Sequence, residues 1–182
     1  MKKRMMMALA AAALVAAMVP GVVTAGQTTE DACLALADKL GVSGPFDRVF
    51  AGTNEDDNWD LATFGGADPN PDHNRDLVCG FNGDDRIERL TPLTFPAFDD
   101  VFIMGNGDDY IESLDIGTGF GGNGDDYVHI AVLSQFHGGN GDDTVWYMNG
   151  ADVYGGRGYD SQTGFYGGNP NTCTDEENAC GQ

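Results

Sequence analysis

The feature that most constrains this chain is a nine-residue block that recurs in fixed register. Four copies align without gaps: GFNGDDRIE (Gly80–Glu88), MGNGDDYIE (Met104–Glu112), GGNGDDYVH (Gly121–His129) and GGNGDDTVW (Gly138–Trp146). A fifth, GGRGYDSQT (Gly155–Thr163), keeps the glycines and one aspartate but loses the apolar eighth place. The last four blocks start at 104, 121, 138 and 155, a strict spacing of 17. Weaker copies flank them. Gly52–Asp57 reads as a degraded first copy, while Asn74–Cys79 and Asp99–Ile103 fit the second half of a block. The step from Gly80 to Met104 is 24 residues, one period plus seven, which reads as a normal turn with a Pro-rich excursion around Thr91–Phe98. A fixed period of this kind points to stacked repeats, each too small to hold a core alone.

Each place in the block has a physical task. Glycine at the first, second and fourth places lets the backbone turn through positive φ without a Cβ clash, and such a turn aims several carbonyl oxygens at one spot. The sixth-place aspartate adds a hard carboxylate, and calcium takes six to eight oxygens at about 2.3–2.6 Å. The apolar eighth place (Ile87, Ile111, Val128, Val145) opens a short strand. Alternation then predicts Val128, Ile130 and Val132 on one face. Strands this short gain a core only by stacking, so the expected fold is all-β: a parallel β-solenoid of about 17 residues per coil.

The blocks resemble the RTX (repeats-in-toxin) nonapeptide GGxGxDxUx, with U apolar, whose fold is a parallel β-roll. Gly121–His129 and Gly138–Trp146 match every defined place, Gly80–Glu88 lacks the second glycine and Met104–Glu112 the first. The resemblance covers roughly 65–168 and implies Ca2+ held between Gly-Asp turns of adjacent coils by backbone carbonyls and sixth-place aspartates. Carried onto this chain, the candidate positions are Gly80, Asn82, Asp84 and Asp85; Gly105, Asn106, Asp108 and Asp109; Gly122, Asn123, Asp125 and Asp126; Gly139, Asn140, Asp142 and Asp143; and Asp160. Nine-residue blocks alternate with eight-residue stretches that lack the motif, so only one edge of the roll is expected to carry calcium. Five turns give up to four sites. The fifth-place aspartates Asp84, Asp108, Asp125 and Asp142 are left open between ligation and simple enrichment of the ion. Without calcium the array should repel itself and be disordered, folding on binding.

Charge and leader agree with an exported chain. Lys2, Lys3 and Arg4 precede an apolar run to Val19 and a small-residue site at Val23-Thr24-Ala25, which reads as a signal peptide over 1–25 and a secreted, extracellular protein. Removing those three cations leaves six Lys/Arg against 29 Asp/Glu, so the mature chain carries −23. Such a charge disfavours nucleic acid and anionic lipid, and no second long apolar run offers a membrane span. Cys33, Cys79, Cys173 and Cys180 allow three pairings. Cys33–Cys79 and Cys173–Cys180 are favoured. Zinc is disfavoured because there is no CxxC pair and the histidines are scattered.

The rest of the chain assigns itself around the array. Thr29-Glu30-Asp31 ahead of Ala32–Leu40 and Gly41 reads as a capped helix, a lid over the first coil, within an N-terminal segment 26–44. The repeats occupy 45–170 and a Cys-containing tail 171–182. Oxygen side chains at every second place of Asp68–Asp76 suggest a calcium loop, but without EF-hand glycine and glutamate a solvated insertion fits better. His129 and Trp146 should point outward together on successive coils. No metalloprotease helix, nucleophile elbow or phosphate loop is present, so no enzyme is expected. Two roles stand: a calcium-binding scaffold or matrix protein, or a calcium-dependent adhesin binding cell-surface or matrix glycans or proteins.

Overall fold

The structure is a computed structural model that describes residues 29–60, 75–88, 99–115 and 117–163. The signal-peptide region, the Asp68–Asn74 stretch, the Thr91–Phe98 excursion and the Cys173–Cys180 pair lie outside the described residues. One helix, α1 (Thr29–Lys39), comes first. Glu30 and Asp31 sit in its first turn and Lys39 in its last, complementing the helix dipole. Gly41, at φ +76°, ends it, with Gly41 N–H donating to Asp38 O and Val42 N–H to Ala37 O.

Twelve strands follow among the described residues: β1 (Arg48–Ala51), β2 (Asn58–Asp60), β3 (Asp76–Asn82), β4 (Arg86–Glu88), β5 (Val101–Asn106), β6 (Tyr110–Asp115), β7 (Thr118–Asn123), β8 (Tyr127–Val132), β9 (Gln135–Asn140), β10 (Thr144–Asn149), β11 (Asp152–Arg157) and β12 (Ser161–Gln162). The odd strands make one six-stranded sheet in chain order and the even strands another. All pairings are parallel. One odd strand, its Gly-Asp turn and the next even strand form a rung, and six rungs stack. The fold is therefore all-β and parallel with one short helix.

The register carries the sequence period into space. Tyr110 pairs with Tyr127 and Thr144 with Tyr127, each 17 residues apart, while Arg86 pairs with Tyr110 across 24. The seven extra residues between the second and third rungs leave the Gly-Asp edge undisturbed. That edge also includes Gly52–Asp57, so the degraded copy is a true first rung.

Eighth-place residues point between the sheets. Ile87, Ile111, Val128 and Val145 join Val78, Phe102, Phe136 and Val153 in one buried cluster. The alternation expected after Val128 is not kept to the strand end: Ala131 is buried, at 0% exposure, while Val132 is half-buried.

A second cluster lies outside the odd sheet. Cys33 and Ala37 of α1 pack with Leu77, Cys79, Val101, Ile103 and Phe120. The helix thus covers the outer face of the first rungs, rather than only the open end expected from the sequence. Cys33 and Cys79 form a disulfide, one of the two favoured pairings. Farther along this face Phe120, His137 and Tyr154 stack ring on ring at 4.9 and 4.7 Å, and burial pushes His137 down to about 4. No helix among the described residues is long and apolar enough to cross a membrane.

Phe102 is fully enclosed between the sheets. Phe102→Ala should lower stability by about 3–5 kcal/mol in urea unfolding. A loss below about 1 kcal/mol would mean the inter-sheet cluster is not the core.

Candidate metal centre

Three ladders run up the Gly-Asp edge, one from each polar place of the block. Third-place asparagines form the first: Asn82 Nδ2 donates to Asn54 Oδ1, Asn106 to Asn82 at 2.7 Å, Asn123 to Asn106 at 2.5 Å and Asn140 to Asn123 at 2.6 Å. Their main-chain carbonyls are engaged too, since Gly83, Gly107 and Gly124 N–H donate to Asn106, Asn123 and Asn140 O. These asparagines bind rung to rung.

Fifth-place aspartates form the second ladder, on the outside. Asp84, Asp108, Asp125 and Asp142 are exposed, and the Oδ1 of each accepts the main-chain N–H of the equivalent residue one rung later, at 2.7–3.0 Å. They form a column of their own, apart from the buried sixth-place side chains.

Sixth-place aspartates form the third ladder, inside, and it runs the other way. Asp57 N–H donates to Asp85 Oδ1 at 2.8 Å, Asp85 to Asp109 at 2.7 Å, and Asp109 to Asp126, Asp126 to Asp143 and Asp143 to Asp160 at 3.0 Å each. These carboxylates are almost wholly buried, from 0% exposure at Asp85 to 6% at Asp160. The second oxygen, Oδ2, of Asp85, Asp109, Asp126 and Asp143 is buried with no hydrogen-bond donor. A buried, unanswered carboxylate oxygen is costly, and here it recurs four times in a line.

The surroundings of that oxygen explain the glycines. A Cβ added at Gly138 would collide with Asp143 Oδ2 and lie 2.6 Å from Gly155 O of the next rung. At Gly121 the same atom would collide with Asp126 Oδ2 and lie 2.8 Å from Gly138 O. The first-place glycine thus keeps open a cradle walled by a carboxylate oxygen of its own rung and a carbonyl oxygen of the next. Gly80 repeats the arrangement with Asp85 Oδ2 and Met104 O. The second-place glycines Gly105, Gly122 and Gly139 all hold φ near +120°, their Cα packed on the preceding rung. Phe81 takes the same place at φ 81°, an L-residue conformation that the stack imposes.

Charge follows from burial. Desolvation, first and largest, pushes the carboxyls up: Asp85 to about 7, Asp109 to about 8, Asp126 to about 9 and Asp143 to about 8. At all four the N–H from the rung before opposes the rise and neighbouring aspartates add to it, Asp109 and Asp143 outweighing the N–H at Asp126.

Sequence reasoning underweighted two parts of this edge and its opposite. Asp57 heads the inner ladder, and its Oδ2 is answered within its own turn by Thr53 N–H at 2.6 Å and Thr53 Oγ1 at 3.1 Å. The shared third-place asparagine and Asp-Asp pair of GTNEDD were the legible signal. On the opposite edge Asp76 and Asp100 are buried, Asp76 N–H donates to Asp100 Oδ1 at 2.8 Å, and burial raises Asp100 to about 7.

The donors suit a hard cation. Both oxygens of the cradle are of the kind calcium prefers, and no thiol or imidazole is among them. Among the described residues no three His, Cys, Asp or Glu side chains converge to hold a metal, so an ion here would draw on main-chain carbonyls beside the carboxylate. No protein-family model, curated protein or solved structure matches this chain.

Two outcomes test the cradle. Gly138→Ala should destabilise the folded protein by at least about 2 kcal/mol, read from thermal or urea unfolding, because the new methyl meets a buried carboxylate. An unchanged midpoint would show that the carboxylate does not sit over the glycine. In chelator, folded carboxyls raised above their unfolded value near 3.8 favour the fold when protonated. Stability should then be highest near pH 4 and fall as pH rises toward 7–9, followed by far-UV circular dichroism. Stability that rises over this window would mean the carboxylates are already compensated.

Proposed function

We propose that this protein is a secreted calcium-binding β-roll of the repeats-in-toxin kind, in which Ca2+ sits between successive Gly-Asp turns. The observation that carries the reading is the line of buried Oδ2 atoms on Asp85, Asp109, Asp126 and Asp143 that no donor answers. Four such oxygens, each beside an inter-rung space, fit up to four ions. The ligands nearest to hand are the sixth-place Oδ2 and the first-place carbonyl of the next rung. The third-place asparagines and fifth-place aspartates act as rung-to-rung ties and as an outer charged column that draws cations in.

Ion binding and folding are then one process. At neutral pH the inner carboxylates ionise in the unfolded chain and resist burial, and a bound cation removes that resistance. The product is a stiff, calcium-dependent rod suited to a scaffold or matrix role outside the cell. This reading gives the chain no catalytic step, because the carboxylates recur with the rungs as ion ligands do. One surface supports a second reading as a glycan-binding adhesin. Glu112 Oε1 lies 3.2 Å from His129 Nδ1, the His129 and Trp146 rings are 4.9 Å apart, and Trp146 is 49% exposed. Calcium-dependent retention on a glycan array would favour it over the scaffold.

Isothermal titration calorimetry of the mature, chelator-treated protein should show three or four calcium ions bound with a folding enthalpy. Asp126→Asn should remove at least one ion from the stoichiometry. No binding at millimolar calcium would overturn the assignment.

A further inference from the structure

The edge opposite the Gly-Asp turns repeats the inner ladder with one substitution. Arg48 and Asp76 open β1 and β3, and Asp100 stands in the same column just ahead of β5, since Arg48 pairs with Asp76, and Leu77 with Val101 one place farther on. Asp76 N–H donates to Asp100 Oδ1 at 2.8 Å, just as Asp85 N–H donates to Asp109 Oδ1 at 2.7 Å across the molecule. Asp76 is fully buried, as Asp85 is. The difference lies in the second oxygen. Asp85 Oδ2 has no donor, whereas Asp76 Oδ2 takes Arg48 Nη2 at 2.6 Å while Arg48 Nε reaches Oδ1 at 3.2 Å. The guanidinium fork fills the role that a cation would otherwise fill.

The distribution of positive charge extends this asymmetry. Of the six Lys/Arg after residue 25, five (Lys39, Arg48, Arg75, Arg86 and Arg89) lie in the helix or the first half of the array, and only Arg157 lies beyond. Residues 90–163 hold twelve Asp/Glu against that single arginine. The first rungs also carry the Cys33–Cys79 disulfide, the cover of α1, and an Asp57 carboxylate answered by Thr53.

We propose that Arg48 is a built-in counter-ion at the second edge, so that the first rungs fold without metal and template the calcium-dependent rungs that follow. The proposal rests on the calcium reading for its second half only. It replaces a uniformly disordered metal-free chain with one that is ordered from its N-terminal end.

Hydrogen exchange read by mass spectrometry on the disulfide-intact protein tests it, with chelator and with calcium. In chelator, amides of 48–60 and 76–82 should stay protected while those of 118–163 exchange freely, and calcium should protect both. Arg48→Gln should speed exchange of 76–82 in chelator by at least about tenfold, because removing the guanidinium leaves Asp76 buried without its charged partner. Arg48→Lys, which keeps the charge without the fork, should fall between the two. Free exchange throughout in chelator with protection restored by calcium would overturn the proposal and leave the calcium reading intact. Protection throughout, with or without calcium, would overturn the calcium reading, and Arg48→Gln would then decide the counter-ion alone. An Arg48→Gln protein that exchanges like the wild type would overturn it.

Discussion

A carboxylate enclosed between two layers of backbone must be answered by something positive or give up its charge, and this molecule repeats that demand at every rung. From Asp85 to Asp160, Oδ1 of each inner aspartate is answered by a main-chain N–H of the rung before. Oδ2 is left to its surroundings: a threonine amide and hydroxyl at Asp57, an arginine at Asp76 on the far edge, and no protein donor at Asp85, Asp109, Asp126 and Asp143. Everything else about the edge follows from keeping that carboxylate in place. The glycine beneath it cannot bear a side chain, and the turn must pass through positive φ to bring the next carbonyl alongside.

Stacking is enforced from both sides. The inner aspartates accept from the rung before, the outer aspartates from the rung after, and the asparagines link their amides in a single direction. A rung held by bonds of opposite sense resists sliding either way, so register does not depend on apolar side chains that would tolerate a slip. The interior can then be modest: one or two apolar residues per strand, with phenylalanines where the sheets need filling.

Much of this was legible in the residues. Period, parallel stacking, the eighth-place core and the first disulfide all follow from block spacing and cysteine placement. The separate tasks of Asp125 and Asp126 did not, because adjacent carboxylates look alike in a sequence and only the turn sends one outward and one in. Arg48 was equally hidden. Its partner lies 28 residues away, and an arginine beside an aspartate reads as ordinary surface charge until the register puts it in column with Asp76 and Asp100. The burial of Ala131 escaped because strict alternation assigns it to the face opposite Val128.

The uneven step between the second and third rungs has a consequence for how such a chain can change. Arg86 and Tyr110 pair as neighbours although 24 residues separate them, where later neighbours need 17. One side of the rod is thus metronomic and the other is permissive. New sequence can enter on the permissive side without disturbing the beat, and whole 17-residue units can be duplicated at will. Length and ornament are therefore independent variables in this architecture.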